Sequence, residues 1–178
     1  GYDIFVIPGA SGTYSSSELS AIQEFVYSGG GLLVIGGYSL SLYTNLTGFA
    51  GINWVSGVVS EVATDIMFHA VTEGVTSVFV GYSSLKMQVS APAMDLIRDR
   101  AGGIMLTVSE LVGRVIGFAG DYSLRDFGIV RENNLRLANN MIDWLMGVRY
   151  EHELAVYLEA PRFLMPSNSS LLNATVYN

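Results

Sequence analysis

Two short apolar runs frame an amphipathic stretch near the start of the chain, and glycines close both. Tyr2-Asp-Ile-Phe-Val-Ile7 is rich in β-branched and aromatic residues and stops at Pro8-Gly9-Ala10-Ser11-Gly12. Leu32-Leu-Val-Ile35 stops at Gly36-Gly37. Continuous runs of this length, bounded by turn residues, suit strands buried on both faces. Between them Ser15, Ser16 or Ser17 can cap a helix, and Leu19, Ile22, Phe25 and Val26 recur at helical spacing. Residues 16–28 are therefore expected to form an amphipathic helix ended by Gly29-Gly30-Gly31. Strand, helix and strand within about 35 residues make a right-handed unit with a parallel sheet. This unit commits the chain to an α/β architecture.

The rest of the pattern is less regular. Residues 39–50 read as a loop or short helix, and Gly57 to Val62 alternates as a strand would. His69-Ala-Val-Thr-Glu-Gly74 reads as a turn, and Ser77–Val80 and Leu85–Val89 as short strands. Met94–Ile97 and Gly103–Val108 flank the polar turn Arg98-Asp-Arg-Ala-Gly102, a hairpin signal. Val115-Ile-Gly-Phe-Ala119 is a third apolar strand and runs into the polar loop Gly120–Gly128. A helix opens at Glu132 or Asn133 and runs through Met146, with Leu135, Ala138, Ile142 and Leu145 on its expected buried face. The expected fold is a three-layer, flavodoxin-like α/β domain over 1–147. Its sheet is mainly parallel, with an antiparallel meander near 94–119. Residues 148–178 change character: a charged linker precedes Leu154–Leu158 and Leu171–Tyr177, which alternate like the first strands of a β-sandwich. Both ends fall within expected strands, so the segment reads as cut from a longer chain.

Composition narrows the function classes. Half of the residues are hydrophobic and 14% are charged, well under the roughly 25% of an average globular protein, which excludes a disordered chain. The net charge of −7 argues against a nucleic-acid partner. No apolar run reaches the ~18 residues of a membrane-spanning helix. With no cysteine there is no disulfide, thiolate metal site or cysteine nucleophile. Lys86 is the only lysine beside eight arginines, so Ser, Thr, Asn, Tyr and Gly must cover the surface. Glycosylation at the sequons of Asn45, Asn168 and Asn173 would suit such a surface if the protein is exported.

The order of elements resembles the class I glutamine-amidotransferase-like domains, in their non-catalytic branch. The resemblance rests on Tyr-Asp-Ile-Phe-Val-Ile-Pro-Gly9, on Gly-Gly-Gly-Leu-Leu-Val-Ile-Gly-Gly37, on His69-Ala-Val-Thr-Glu-Gly-Val75, and on Gly120–Gly128 followed by a helix ending Ile-Asp-Trp-Leu145. Residues 153–178 resemble the opening of an immunoglobulin-like adhesion module of prokaryotic exported proteins. The family places a strand and helix before the element at which this chain starts, so the resemblance implies a sheet short of one strand. Active members carry a cysteine on the turn after the strand matching Leu32–Ile35. Here that turn reads Gly36-Gly37-Tyr38-Ser39, and no histidine lies near Gly120-Asp121-Tyr122-Ser123.

The candidate chemistry follows from these loops. A nucleophile needs a base within hydrogen-bond reach. Ser39 is the hydroxyl near the turn, and the two histidines are His69 and His152. Asp121 and Asp126, with Glu132 nearby, lie at the expected carboxyl edge of the sheet, where open α/β sheets bind ligands. The competing reading has Asp121 and Ser123 bonding backbone amides to shape their loop. Gly9, Gly12 and Gly37 could cradle an anion or merely turn the chain. Tyr14, Tyr38, Tyr43, Trp54 and Tyr122 could form a sugar platform or ordinary core. The possible ligand-binding set is thus Gly9, Gly12, Gly37, Tyr38, Ser39, Asp121, Ser123 and Asp126, with no catalytic residue, metal or cofactor assigned. The expected role is a non-catalytic structural or adhesion module outside the cell. Its partners would be other segments of the parent chain, neighbouring copies or glycans. The alternatives are a ligand- or glycan-binding domain and a hydrolase or its accessory domain.

Overall fold

A computed structural model describes residues 3–9, 13–36, 40–57, 62–81 and 85–147, and the backbone of 157–159 and 173–175. The chain divides into two units, 1–148 and 149–178. In the second, β11 (Tyr157–Glu159) and β12 (Asn173–Thr175), named here after the ten strands of the first unit, pair antiparallel. That pair is all that is described of the expected sandwich module.

The first unit begins as its glycines and apolar runs predict. β1 (Ile4–Pro8) and β2 (Gly31–Ile35) pair parallel, joined through α1 (Ser16–Tyr27). Ser15 caps α1 reciprocally with Glu18: the Glu18 N–H donates to the Ser15 hydroxyl at 3.3 Å, and the Ser15 N–H donates to the Glu18 carboxylate at 2.7 Å. These bonds from the Ser15 backbone and hydroxyl hold the Glu18 carboxyl below its ordinary range. At the other end Gly29 adopts left-handed backbone, with φ of 100°, and ends the helix. Every residue of β2 is buried, as its unbroken apolar run requires.

β1 departs from expectation. It lies at the edge of the sheet with β2 as its only strand neighbour among the described residues, and Phe5 and Val6 are 45% and 42% exposed. An apolar run shows that a strand can be buried on both faces, not that neighbours exist to bury it.

α2 (Leu40–Thr47) occupies the stretch left open between loop and helix. The next strand lies earlier than the alternation at Gly57–Val62 suggested: β3 is Ile52–Ser56, followed by the two-residue strands β4 (Val62–Ala63) and β5 (Asp65–Ile66). Residues 58–61 lie outside the described part. β6 (Val78–Phe79) pairs with β4. β7 (Leu85–Val89), β8 (Met94–Arg98), β9 (Ile104–Glu110) and β10 (Arg114–Phe118) complete the unit's strands. The path through the main sheet is β1-β2-β10-β9-β7-β3, with β8 on β9 and β5 on β8. Only the β1-β2-β10 portion is parallel; the antiparallel portion extends past the expected meander to β7 and β3.

The β8–β9 hairpin forms around buried Asp99. Its carboxylate accepts from the N–H groups of Ala101 (3.0 Å) and Gly103 (2.6 Å), while Gly102 supplies left-handed backbone. α3 (Asn134–Leu145) buries Asn134, Leu137, Met141, Trp144 and Leu145. This stripe is rotated from the expected one, and Leu135 is 58% exposed. Either stripe satisfies helical spacing; the bonds of Asn134 select the observed one. Among the described residues no helix is long and apolar enough to cross a membrane.

Candidate functional site

The parallel strands end together: Pro8 is level with Ile35, and Ile35 with Phe118. Their carboxyl edge is where the sequence placed its candidates. Gly9, at φ of 38°, donates its N–H to the Ile35 carbonyl (3.1 Å), and Gly36 donates to the Phe118 carbonyl (2.7 Å). Pro8, Gly9, Ile35, Asp121, Leu124 and Arg125 line a hollow of about 320 Å³ there. The structure thus brings Gly9 and Asp121, named separately in the sequence, to one hollow.

The Asp121 carboxylate is not free in this hollow: Arg125 donates to it at 2.7 Å and lies over the Tyr122 ring, 4.4 Å from its centre. Asp126 is exposed, and Glu132 turns away to accept from the Ser77 hydroxyl at 2.5 Å. Among the described residues no cluster of three or more His, Asp or Glu side chains is close enough to hold a metal ion.

Ser123 does not face the hollow. It is fully buried, and its hydroxyl has no partner among the described residues. The loop is shaped instead by Asn134, whose amide nitrogen lies 2.8 Å from the Phe79 carbonyl, 3.2 Å from that of Ser123 and 2.9 Å from that of Gly128. Asn133 accepts from the N–H and hydroxyl of Thr76 and from the N–H of Ser77, and Asn140 donates to the carbonyls of Val71 and Glu73. Asn133 and Asn134 shape the surroundings of the carboxyl edge, while Asn140 ties α3 to the Val71–Glu73 turn, and sequence reasoning gave none of the three a role. The available signal was their placement on and beside an otherwise apolar helical stripe.

His69 lies at the opposite edge. Its Nδ1 accepts the Val71 N–H at 3.1 Å, capping a 3-10 turn over Ala70–Thr72, and its ring meets Trp144 edge-on at 5.5 Å. Trp144 is held by Arg114, which opens β10, bonds the Trp144 carbonyl at 2.5 Å and pairs with Glu110. The length of a strand, about 13 Å over four steps of ~3.3 Å, separates that edge from the hollow. Burial pushes the His69 imidazole below its ordinary value; Glu110 opposes this and Arg114 adds to it. His69 is a capping residue, as the turn reading held, and not a base for the carboxyl edge.

Two of the aromatics weighed as a sugar platform, Tyr43 and Trp54, are core. Tyr43 is fully buried against Trp54, with ring centres 5.1 Å apart, and the Trp54 indole donates to Thr47 at 3.1 Å. Tyr122 lies under Arg125 and beside Phe127. Asn45 is exposed on α2, whereas the hydroxyl of its sequon partner Thr47 is buried and bonds the Tyr43 and Ile52 carbonyls. Asn173 opens β12. Gly12, Gly37, Tyr38, Ser39, His152 and Asn168 lie outside the described residues.

No protein-family model matches the chain, and no curated protein matches its sequence. Similarity appears at the level of structure. The mmIFT52 N-terminal domain superposes with a TM-score of 0.68 at 14% identity, over 81% of this chain and 77% of that one. A cytoplasmic protein from Salmonella typhimurium LT2 gives 0.61 at 20%, over 81% and 72%. A glutamine amidotransferase from Thermotoga maritima gives 0.54 at 12%, over 82% and 78%. These likenesses show that the first unit shares its fold with glutamine-amidotransferase-like, flavodoxin-like α/β domains. At such identities they speak to the fold alone.

Proposed function

We propose that this domain is a non-catalytic structural or interaction module of a secreted or cell-surface protein, of the surface-layer, filament or adhesion kind. The carrying observation is the chemistry of the carboxyl edge. The chain has no cysteine, Asp121 is neutralised by Arg125, and His69 is committed to a cap at the other edge. Acyl transfer needs a nucleophile with a base about 2.6–3.2 Å away. The sparse charge and the sequons at Asn45, Asn168 and Asn173 support an extracellular setting. The first test is incubation with glutamine and with activated esters, together with fluorophosphonate labelling. Neither ammonia release nor Ser39 labelling is expected; stoichiometric labelling of Ser39 overturns the reading. For the setting, intact-mass measurement on protein from its native source should show glycan on at least one sequon.

A second reading, a ligand- or glycan-binding domain, is supported by the hollow of about 320 Å³ between Gly9 and Arg125. A glycan array, with Arg125→Ala as control, decides between them.

A further inference from the structure

The sequon Asn45-Leu46-Thr47 falls inside α2, and the helix sets its two recognition groups apart. An acceptor sequon needs both the asparagine amide and the hydroxyl two residues on. In extended chain these positions share a face, because side chains repeat every second residue. In a helix of 3.6 residues per turn they stand about 200° apart. Asn45 is accordingly exposed, whereas Thr47 is fully buried and Leu46, between them, is 1% exposed.

The Thr47 hydroxyl is also committed. It lies 3.0 Å from the Tyr43 carbonyl and 2.8 Å from that of Ile52, and it accepts the Trp54 indole N–H at 3.1 Å. Thr44 accepts the Trp54 backbone N–H at 3.2 Å. β3 ends the path of the main sheet, so the two threonines meet it on the flank away from β7. Drawing Thr47 out into an enzyme would undo the packing of α2 on β3 and take this partner from the buried Ile52 carbonyl and Trp54 indole.

We propose that Asn45 accepts an N-linked glycan only before the domain folds, and that closure of α2 on β3 ends the period in which it can be modified. The transfer joins the Asn45 amide nitrogen to the anomeric carbon of a lipid-diphosphate-linked oligosaccharide. The anomeric C–O bond breaks, the lipid diphosphate leaves with the electron pair, and the amide proton passes to a base of the transferase. A glycan placed in this way remains compatible with the fold, since Asn45 is exposed on α2. The order is one-way: sugar first, fold second.

This inference rests on the reading of the domain as part of an exported protein. Should that reading fail, protein from its native source carries no glycan on any sequon, while a test that supplies the transferase is unaffected. The folded full chain and a free peptide of residues 43–49 are each incubated with lipid-diphosphate-linked chitobiose and a single-subunit oligosaccharyltransferase that reads the bare Asn-X-Thr sequon. No lysine or arginine precedes Lys86, so trypsin then releases residues 1–86 with Asn45 as their single sequon, and mass spectrometry reads its occupancy apart from Asn168 and Asn173. The peptide should be modified at least about a hundredfold faster than Asn45 of the folded chain, where reaction waits on a rare local opening. Thr47→Ala should lower the urea midpoint or prevent folding, Asn45→Gln should do neither, and Thr47→Ser, which keeps the hydroxyl, should recover most of the loss. Equal rates on peptide and folded chain, a peptide that is not modified, a midpoint indifferent to Thr47→Ala, or no recovery with Thr47→Ser each overturns the proposal.

Discussion

Asn134 and Phe79, 55 residues apart, are joined edge to edge: the Phe79 N–H donates to Oδ1 at 3.0 Å, and Nδ2 donates to the Phe79 carbonyl at 2.8 Å. The side chain thereby acts as a short piece of strand, pairing with β6 from the first turn of α3. Removing it by Asn134→Leu strands the backbone groups of Phe79 in a buried setting. Unsatisfied groups of this kind cost about 1–3 kcal/mol each, so a loss of about 3 kcal/mol is expected. Urea denaturation should show a lower midpoint with an unchanged slope.

Asp99 plays the corresponding part in the β8–β9 hairpin. Asp99→Ala abandons two backbone N–H groups and should cost about 2–3 kcal/mol. Hydrogen exchange should quicken first at Ala101 and Gly103.

His69 makes stability depend on pH. Its folded-state value is lowered from 6.5, chiefly by burial, and protonating Nδ1 breaks the cap on Val71. Below 6.5 the unfolded chain therefore binds the proton more readily than the folded one, and unfolding free energy falls as pH falls. Above 6.5 both states are neutral and this dependence vanishes. Denaturation curves at pH 5 and pH 8 should differ in this sense, and His69→Gln should flatten the difference.

Gly36 tests the packing at the carboxyl edge. A Cβ there would stand 2.6 Å from the Trp54 ring. Gly36→Ala should cost about 1–3 kcal/mol through overpacking and shift the Trp54 fluorescence. Arg125→Ala is the contrasting case. The Arg125 side chain is half exposed, so its pair with Asp121 should contribute about 1 kcal/mol or less.

The contrast between β2 and β1 shows what was legible in the sequence. Local rules found both strands, the serine cap of α1, the hairpin about Asp99 and the glycine ends of both long helices. They could not say that Phe5 would face outward, because exposure depends on which neighbours are present. The buried stripe of α3 failed for a related reason. Leu135 and Leu137 are equally apolar, and the decision lies with Asn134, whose partners are remote in sequence. At the candidate site, the loops of Gly9 and Asp121 could each be assigned to the end of a strand, but not to one another. The pairing of Asp121 with Arg125 and the burial of Ser123 depend on the turn geometry of 121–128, which loop composition does not specify.

The position of β2 between β1 and β10 has a kinetic side. Leu33 faces Val6 on one flank and Ile116 on the other. The first partner is already made when Leu33 leaves the ribosome, whereas the second follows about 80 residues later. At roughly 5–20 residues per second, this fully buried strand spends several seconds with one flank bare during synthesis. That interval is when a nascent chain of this kind is most open to wrong pairing, and when a holdase would protect it best.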